Sequence, residues 1–412
     1  MANIGLLGLG TVGTGVYEII KDRNEYFKKV LGEELNVKKI LVRNLSKERK
    51  LLVGESVLTT DPEEILNDDD IDIVVEVLGG IGDAYKYIKT ALNKNKHVIT
   101  ANKAVVALYL EEFLDISNRT GKGFLFEASV GGGIPIIKPL KQSLNTNDID
   151  EITGILNGTT NFILTKMYEE GLDFDKALKL AQDLGYAEAD PTDDIEGYDV
   201  ARKLSILSSI GFKNNTNVSK IKCRGISNLI TKDIDAFKSR NFAVKVLGKA
   251  KVSDTNILAS VEPVLINKDS QYATVKDAYN VVSIKGNVVG DLKFYGKGAG
   301  KEPTANAVVS DIIDILNGSY KLDRINIEKN LDLDENKVFE GKYYIRLTPN
   351  DLYTPSDINE KISEIDIEYE TIINDGDVII LTEIIEGNQL IDLLDTTDNM
   401  IKDCFYLRIE EI

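Results

Sequence analysis

The 412-residue chain has a single histidine, His97, and only two cysteines, Cys223 and Cys404. His97 opens a predicted strand, far from where the mouth of an open α/β sheet would lie, so a histidine-centred triad is excluded. Two cysteines cannot build a disulfide framework, which points to a reducing cytoplasm. There is no H-E-x-x-H, no C-x-x-C and no P-loop lysine. Acid–base work therefore falls to lysines, carboxylates or tyrosines. No apolar run reaches transmembrane length, and the first strand starts so early that no signal peptide is expected before it. Bases are also scarce: 49 Lys and Arg stand against 67 Asp and Glu, a formal charge of −18, which argues against nucleic acid or an anionic membrane as partner. Residues 331–412 hold 21 of the acids and 6 of the bases, a net of −15, so a domain boundary is expected with a hinge at Glu328–Lys337.

What is present begins with Asn3–Leu7, a short apolar run that suits a buried parallel strand. Gly8-Leu-Gly10-Thr11-Val12-Gly13 follows, and Thr14–Lys29 reads as a helix. G-x-G-x-x-G between a strand and a helix lets backbone N–H groups and a helix N-terminus hold a pyrophosphate. Val37–Val42, Ile71–Glu76 and His97–Thr100 read as further strands with helices between them, such as Asp83–Asn93. This alternation predicts an α/β fold with a doubly wound, Rossmann-type parallel sheet. The second strand ends at Val42-Arg43-Asn44, with no acid to grip ribose hydroxyls. Arg43, with Lys47 or Arg49 behind it, suits a 2′-phosphate, so NADP(H) is expected to be preferred, with NAD(H) as the alternative.

The densest chemistry lies in Glu188–Lys203, which crowds Asp190, Asp193, Asp194, Glu196 and Asp199 ahead of Lys203 and then enters the apolar Leu204–Ile210. Asp199 and Lys203 are four residues apart and share a helix face. The plain alternative is a surface ion pair at the wet end of a buried helix. Lys103, in Thr100-Ala-Asn-Lys103, stands just past the carboxyl end of a strand, the edge that faces a ligand crevice. Gly123–Glu127 reads as another strand, followed by Ala128-Ser-Val-Gly-Gly-Gly-Ile-Pro135. A carboxylate at Glu127 beside free carbonyls is an adequate site for a hard cation.

These motifs, with Gly154-Ile-Leu-Asn-Gly-Thr-Thr-Asn161, Asp183-Leu-Gly-Tyr-Ala-Glu188, Gly197–Lys203 and Gly296-Lys-Gly-Ala-Gly300, occur in the order seen in homoserine dehydrogenases, and residues 3–317 resemble that family. The resemblance implies reversible conversion of L-homoserine and NAD(P)+ to L-aspartate 4-semialdehyde and NAD(P)H. It assigns proton relay to Lys203, with Lys103 also at the site, contacting cofactor or substrate. Glu188 and Asp199 bind the amino acid, supported by Asp194. Gly8, Gly10, Thr11, Val12, Gly13, Arg43, Lys103, Gly185 and Gly300 fall to the cofactor. A monovalent cation, sodium or potassium, goes to Glu127, Val130, Gly132 and Ile134. A lysine base must spend time neutral, which desolvation favours and Asp199 opposes. The resemblance also implies a dinucleotide-binding domain over 1–130, with a helix near 304–317 returning to it. Residues 131–327 would form an α+β catalytic domain whose mixed sheet pairs across a homodimer.

In the tail, Lys342–Leu347, Ile365–Tyr369, Asp377–Leu381 and Cys404–Ile409 read as strands, with helices near 355–364 and 388–400. This βαββαβ order over 338–412 resembles an ACT domain, a module that senses small molecules. Asn350–Thr354 keeps the following Pro355 but lacks the glycine of the usual effector turn, so L-threonine feedback and a purely assembling role both stay open. Two other readings remain: a different Rossmann oxidoreductase acting on an amino acid, and a cofactor-binding regulator without turnover.

Overall fold

Strands that are apolar on both faces belong inside a sheet covered by helices, and that is where the N-terminal runs lie. The computed structural model describes all residues except 50–53, 254, 323, 328–330 and 336. In chain order the first elements are β1 (Ala2–Leu7), α1 (Thr11–Leu31), β2 (Leu35–Leu41), β3 (Leu58–Thr59), α2 (Glu63–Leu66) and β4 (Ile73–Glu76). Then come α3 (Gly82–Asn93), β5 (His97–Thr100), α4 (Lys103–Thr120), β6 (Phe124–Leu125), α5 (Ile137–Ser143) and β7 (Ile149–Ile155). The middle holds α6 (Gly158–Glu170), α7 (Phe174–Asp183), α8 (Thr192–Ile195), α9 (Tyr198–Gly211), β8 (Lys222–Cys223), α10 (Thr231–Ser239), β9 (Phe242–Val252) and β10 (Asn256–Asn267). The remainder is β11 (Tyr279–Gly286), β12 (Gly290–Lys297), α11 (Lys301–Leu316), β13 (Asp332–Leu333), β14 (Lys342–Pro349), α12 (Pro355–Ile362), β15 (Tyr369–Asn374), β16 (Asp377–Thr382), α13 (Gly387–Thr397) and β17 (Ile401–Glu410).

The chain divides into two units, the first comprising residues 1–158, 201–219 and 279–331. It contains the parallel sheet β3-β2-β1-β4-β5-β6, the doubly wound order expected from the sequence. Its core joins Ile4, Leu6, Val16, Ile20, Ile40, Ile73, Val75 and Ile99 to Ala305, Val308 and Ile312, so α11 returns to the first layer from far along the chain. Gly15 makes this possible, because a Cβ there would sit 2.8 Å from Ala305 Cβ. The same unit holds the antiparallel strands β12, β11 and β7.

The second unit comprises residues 159–200, 220–278 and 332–412. In it β9 and β10 form a long antiparallel pair, and β17 joins the far side of β10 in parallel. From there the sheet continues β17-β14-β16-β15, all antiparallel, with α12 and α13 packed on a core of Tyr343, Ile345, Leu347, Ile358, Ile362, Val378, Ile380 and Leu390. Residues 342–410 thus follow βαββαβ order. A buried ion network ties β17 to its neighbours: Glu262 accepts from Arg224 (2.5 Å) and Arg408 (3.1 Å), and Lys249 donates to Glu410 (2.6 Å). Burial alone would raise the Glu262 carboxyl, yet Arg408 and Arg224 hold it at about 2.

Two sequence expectations shift. Instead of Ile365–Tyr369, the strand is β15, because the hairpin turn at Asp375-Gly376, both at positive φ, pairs Asn374 with Asp377 and sets the register backwards from there. Of Gly123–Glu127 only Phe124–Leu125 is strand, since Glu127–Ser129 coils into a 3₁₀ turn. In the expected hinge, Glu328, Lys329, Asn330 and Asn336 lie outside the described residues.

His97 stands at the amino end of β5, where its Nδ1 accepts from the Gly123 amide (2.9 Å) and its ring meets Tyr320 edge-on. Burial first, then Lys122 and Lys321, lower its pKa to about 4. The folded value lies below the unfolded one, so the unfolded chain takes up the proton first. Stability from neutral His97 is present above about pH 6.5 and lost as pH falls toward 4. Urea unfolding at pH 7 and pH 5 should therefore show wild type losing on the order of 1 kcal/mol more than His97→Gln. Parallel losses would refute the assignment.

Candidate active site

The glycine fingerprint forms a phosphate cradle. Gly8 adopts φ +113°, where a Cβ would lie 2.9 Å from the Val77 carbonyl, and a Cβ on Gly13 would lie 2.2 Å from the Gly8 carbonyl. Both glycines are thus steric requirements of the turn. Gly10 is different, being exposed, with nothing within 4 Å of its Cβ position. It is also the N-cap of α1 and offers no side chain to the first-turn amides, so the amides at Thr11, Val12 and Gly13 lack a side-chain cap. Gly300, at φ +125°, is likewise the uncapped N-cap of α11. Lys301 and Ala305 lie against Gly15, so the two helices begin side by side. Gly8, Gly10, Thr11, Val12, Gly13 and Gly300 therefore meet at one edge of the sheet.

Gly8 N donates to Leu41 O (3.1 Å), which brings the cradle to the end of β2. Arg43 is exposed two residues beyond. Arg49 is engaged differently from the sequence expectation. Its guanidinium donates to the carbonyls of Asn44 (2.6 Å), Lys47 (2.8 Å) and Leu45 (3.2 Å), so it shapes the loop and leaves Arg43 and Lys47 as the outward cations.

In α9 the surface ion-pair alternative fails, because Asp199 is 3% and Lys203 8% exposed. Residues Leu204–Ile210 are buried all round, as their composition predicted. Lys203 Nζ donates to Leu156 O (2.7 Å), just past β7, which fixes the ammonium at the end of that strand. Lys103 is the half-buried first residue of α4, after the N-cap Asn102. Gly185 (φ +77°) ends α7 in the second unit, Glu188 is exposed on the following loop, and Asp194 lies in α8, its carbonyl accepting from Gly197 N (3.1 Å).

The reading of Glu127 as a carboxylate facing a cation needs correction. Oε1 accepts from the amides of Ile136 (2.6 Å) and Ile137 (2.8 Å), and Oε2 from Lys138 (2.8 Å), so the side chain holds the start of α5. Burial still raises its pKa, and Asp311, which accepts from Glu127 N (3.0 Å), is raised well above its usual value by burial and by Glu127. No group of three or more acidic, Cys or His side chains able to hold a metal occurs among the described residues. Beyond Glu127 the chain turns with Gly131 and Gly132 at positive φ.

Two further residues escaped the sequence reading. Asn280 in β11 is fully buried with neither amide atom hydrogen-bonded, pressed against Gly298 of the Gly296–Gly300 loop. Its only sequence signal is a polar residue inside an apolar strand. Glu76 closes the otherwise apolar β4 and is also fully buried.

Glycine cradle, uncapped helix starts and buried lysine define a nicotinamide-dependent oxidoreductase of the Rossmann type. Residues 8–127 match the family model described as "Homoserine dehydrogenase, NAD binding domain", and residues 135–313 match that described as "Homoserine dehydrogenase". Curated homoserine dehydrogenases from Bacillus subtilis and Synechocystis are 43% and 48% identical, each over 76% of this chain and 72% and 73% of their own. The crystal structure of a homoserine dehydrogenase from Thiobacillus denitrificans superposes with a TM-score of 0.89 at 36% identity, covering 100% of this chain and 98% of that one. A hyperthermophilic archaeal homoserine dehydrogenase in complex with NADPH matches 77% of this chain and 98% of its own at 29% identity, with a TM-score of 0.64. The chain belongs to the homoserine dehydrogenase family and is an NAD(P)-dependent oxidoreductase acting on a CH–OH group. Among the described residues no helix is long and apolar enough to cross a membrane.

The cradle separates folding from binding. Gly10→Ala should keep the melting temperature within about 2 °C while raising the NADPH Kd about tenfold, by obstructing phosphate approach. Gly13→Ala should lower both stability and affinity. Fluorescence titration beside a thermal melt checks both, and unchanged NADPH affinity in Gly10→Ala would refute the cradle.

Proposed function

We propose that the chain interconverts L-homoserine and L-aspartate 4-semialdehyde with NADP(H), and that the buried Lys203, seated on the Leu156 carbonyl, carries the acid–base step. When bound, the nicotinamide supplies the hydride chemistry. Lys203 Nζ takes the hydroxyl proton on oxidation and returns it on reduction. Glu188 and Asp199 bind the substrate ammonium, with Asp194 in support, which accounts for the carboxylates crowded into one stretch of sequence. Lys103, at the first turn of α4, contacts cofactor or substrate. The glycines of the cradle, with Gly185 and Gly300, leave backbone open to the cofactor. Arg43 at the end of β2 supports a preference for NADP(H) over NAD(H), through charge-assisted contacts with a 2′-phosphate.

The further assignments rest on the resemblance and on local chemistry. A sodium or potassium ion on the carbonyls of Glu127, Val130, Gly132 and Ile134 would brace the Gly131–Gly133 turn. The assembly would be a homodimer. The C-terminal module has the order of an ACT domain, but its first helix opens on a capping box in which Thr354 and Asp357 satisfy each other's amides. That favours an assembling role over L-threonine sensing, and inhibition by millimolar threonine would reverse the choice.

Initial rates of NADPH and NADH oxidation with L-aspartate 4-semialdehyde test the core reading, and failure of the wild type to turn over would overturn it. Lys203→Ala and Lys103→Ala should each lose at least about 100-fold in kcat, the scale of general acid–base groups. Homoserine oxidation needs Lys203 to begin neutral, so its rate should climb well above pH 7. A maximum below pH 7 would exclude a lysine base.

A further inference from the structure

Glu76 is fully buried at the carboxyl end of β4, beside β1 and β5 and at the point where strand order reverses. A buried carboxyl is costly unless its oxygens are met, and here they are met by two different loops. Oε1 accepts from the amide of Leu78 (2.8 Å), in the turn after β4 that carries Gly79 and Gly80 at positive φ. Oε2 accepts from Thr100 Oγ1 (2.6 Å), at the end of β5. Thr100 Oγ1 in turn accepts from Asn102 N (3.0 Å), and Asn102 Nδ2 donates back to Gly80 O (2.6 Å). The circuit closes on both loops and ends on the residue before Lys103.

We infer that Glu76 is a positioning residue: through Thr100 and Asn102 it locks the turn after β4 to the start of α4, and so sets the backbone that receives the cofactor and the place of Lys103. Burial raises the Glu76 carboxyl, and the donors around it favour the carboxylate. Thr100 has one hydroxyl hydrogen, and Asn102 N–H already occupies a lone pair of its oxygen, so the hydrogen must go to an acceptor. Both Glu76 oxygens accept. A glutamine accepting from Leu78 N would turn its NH₂ toward Thr100, leaving that hydroxyl facing donors alone. The role deepens the proposed function, since it acts on Lys103, but its effect on cofactor binding is independent of which alcohol is the substrate.

The test uses the full chain with Glu76→Gln, Thr100→Val and Thr100→Ser. Glu76→Gln and Thr100→Val should stay folded, raise the NADPH Kd three- to tenfold and lower kcat at least tenfold, while the KM for L-aspartate 4-semialdehyde moves less than threefold. Thr100→Ser restores the hydroxyl and should return both quantities to within twofold of wild type. A melting temperature that falls in the first two variants while Kd and kcat hold within twofold would reduce the circuit to a stability element and overturn the proposal. Failure of Thr100→Ser to rescue would do the same. If the wild type oxidises no NADPH with the semialdehyde, the substrate assignment falls, and the NADPH titration alone still decides the role of Glu76.

Discussion

An ammonium inside an apolar helix has to find an oxygen, and Lys203 finds the carbonyl of Leu156. That bond constrains much of the site. It requires α9 to lie against the end of β7, where the Leu156 carbonyl stands just past the strand. It also holds the lysine on one side. The apolar Leu204–Ile210 turns that follow anchor the helix in which Asp199 and Lys203 sit at 3% and 8% exposure.

The same economy governs the buried carboxylates. Glu127 gathers three amides at the start of α5, Glu76 gathers an amide and a hydroxyl from two loops, and Glu262 gathers two guanidinium groups. Glu127 and Glu76 act as knots that fix irregular backbone, which has no ladder of its own to hold it, while Glu262 ties paired strands together. Loops tied this way can be stiff and still expose a few main-chain groups, such as the uncapped amides after Gly10. A dinucleotide site asks for that combination.

Much of this was legible in the sequence, and the reasons differ by element. The parallel strands were readable because burial on both faces leaves continuous apolar runs, and the cradle because Gly8 and Gly13 have no substitute. The buried character of α9 followed from the absence of any polar stripe in Leu204–Ile210. Other features were illegible because they depend on partners distant in sequence. Leu156 gives no sign that its carbonyl will serve Lys203. Glu127 reads the same as a cation ligand or as a helix cap until α5 is folded against it. Glu76 looks like a strand end, since nothing local reports the hydroxyl of Thr100. The shift of β15 shows how one turn, Asp375-Gly376, overrides the apolar pattern of Ile365–Tyr369.

The parallel pairing of β17 with β10 bears on how such a chain can be remodelled in evolution. β17 supplies one edge of the β9–β10 pair and brings Arg408 to Glu262. A chain cut ahead of β17 would bare the end of β10 and the edge of β14, the kind of edge that recruits strands from other molecules. It would also leave Arg224 as the main counter-charge to Glu262. The tail is therefore part of the sheet that it joins. A lineage that dispenses with the tail has to protect that edge and balance Glu262 by other means.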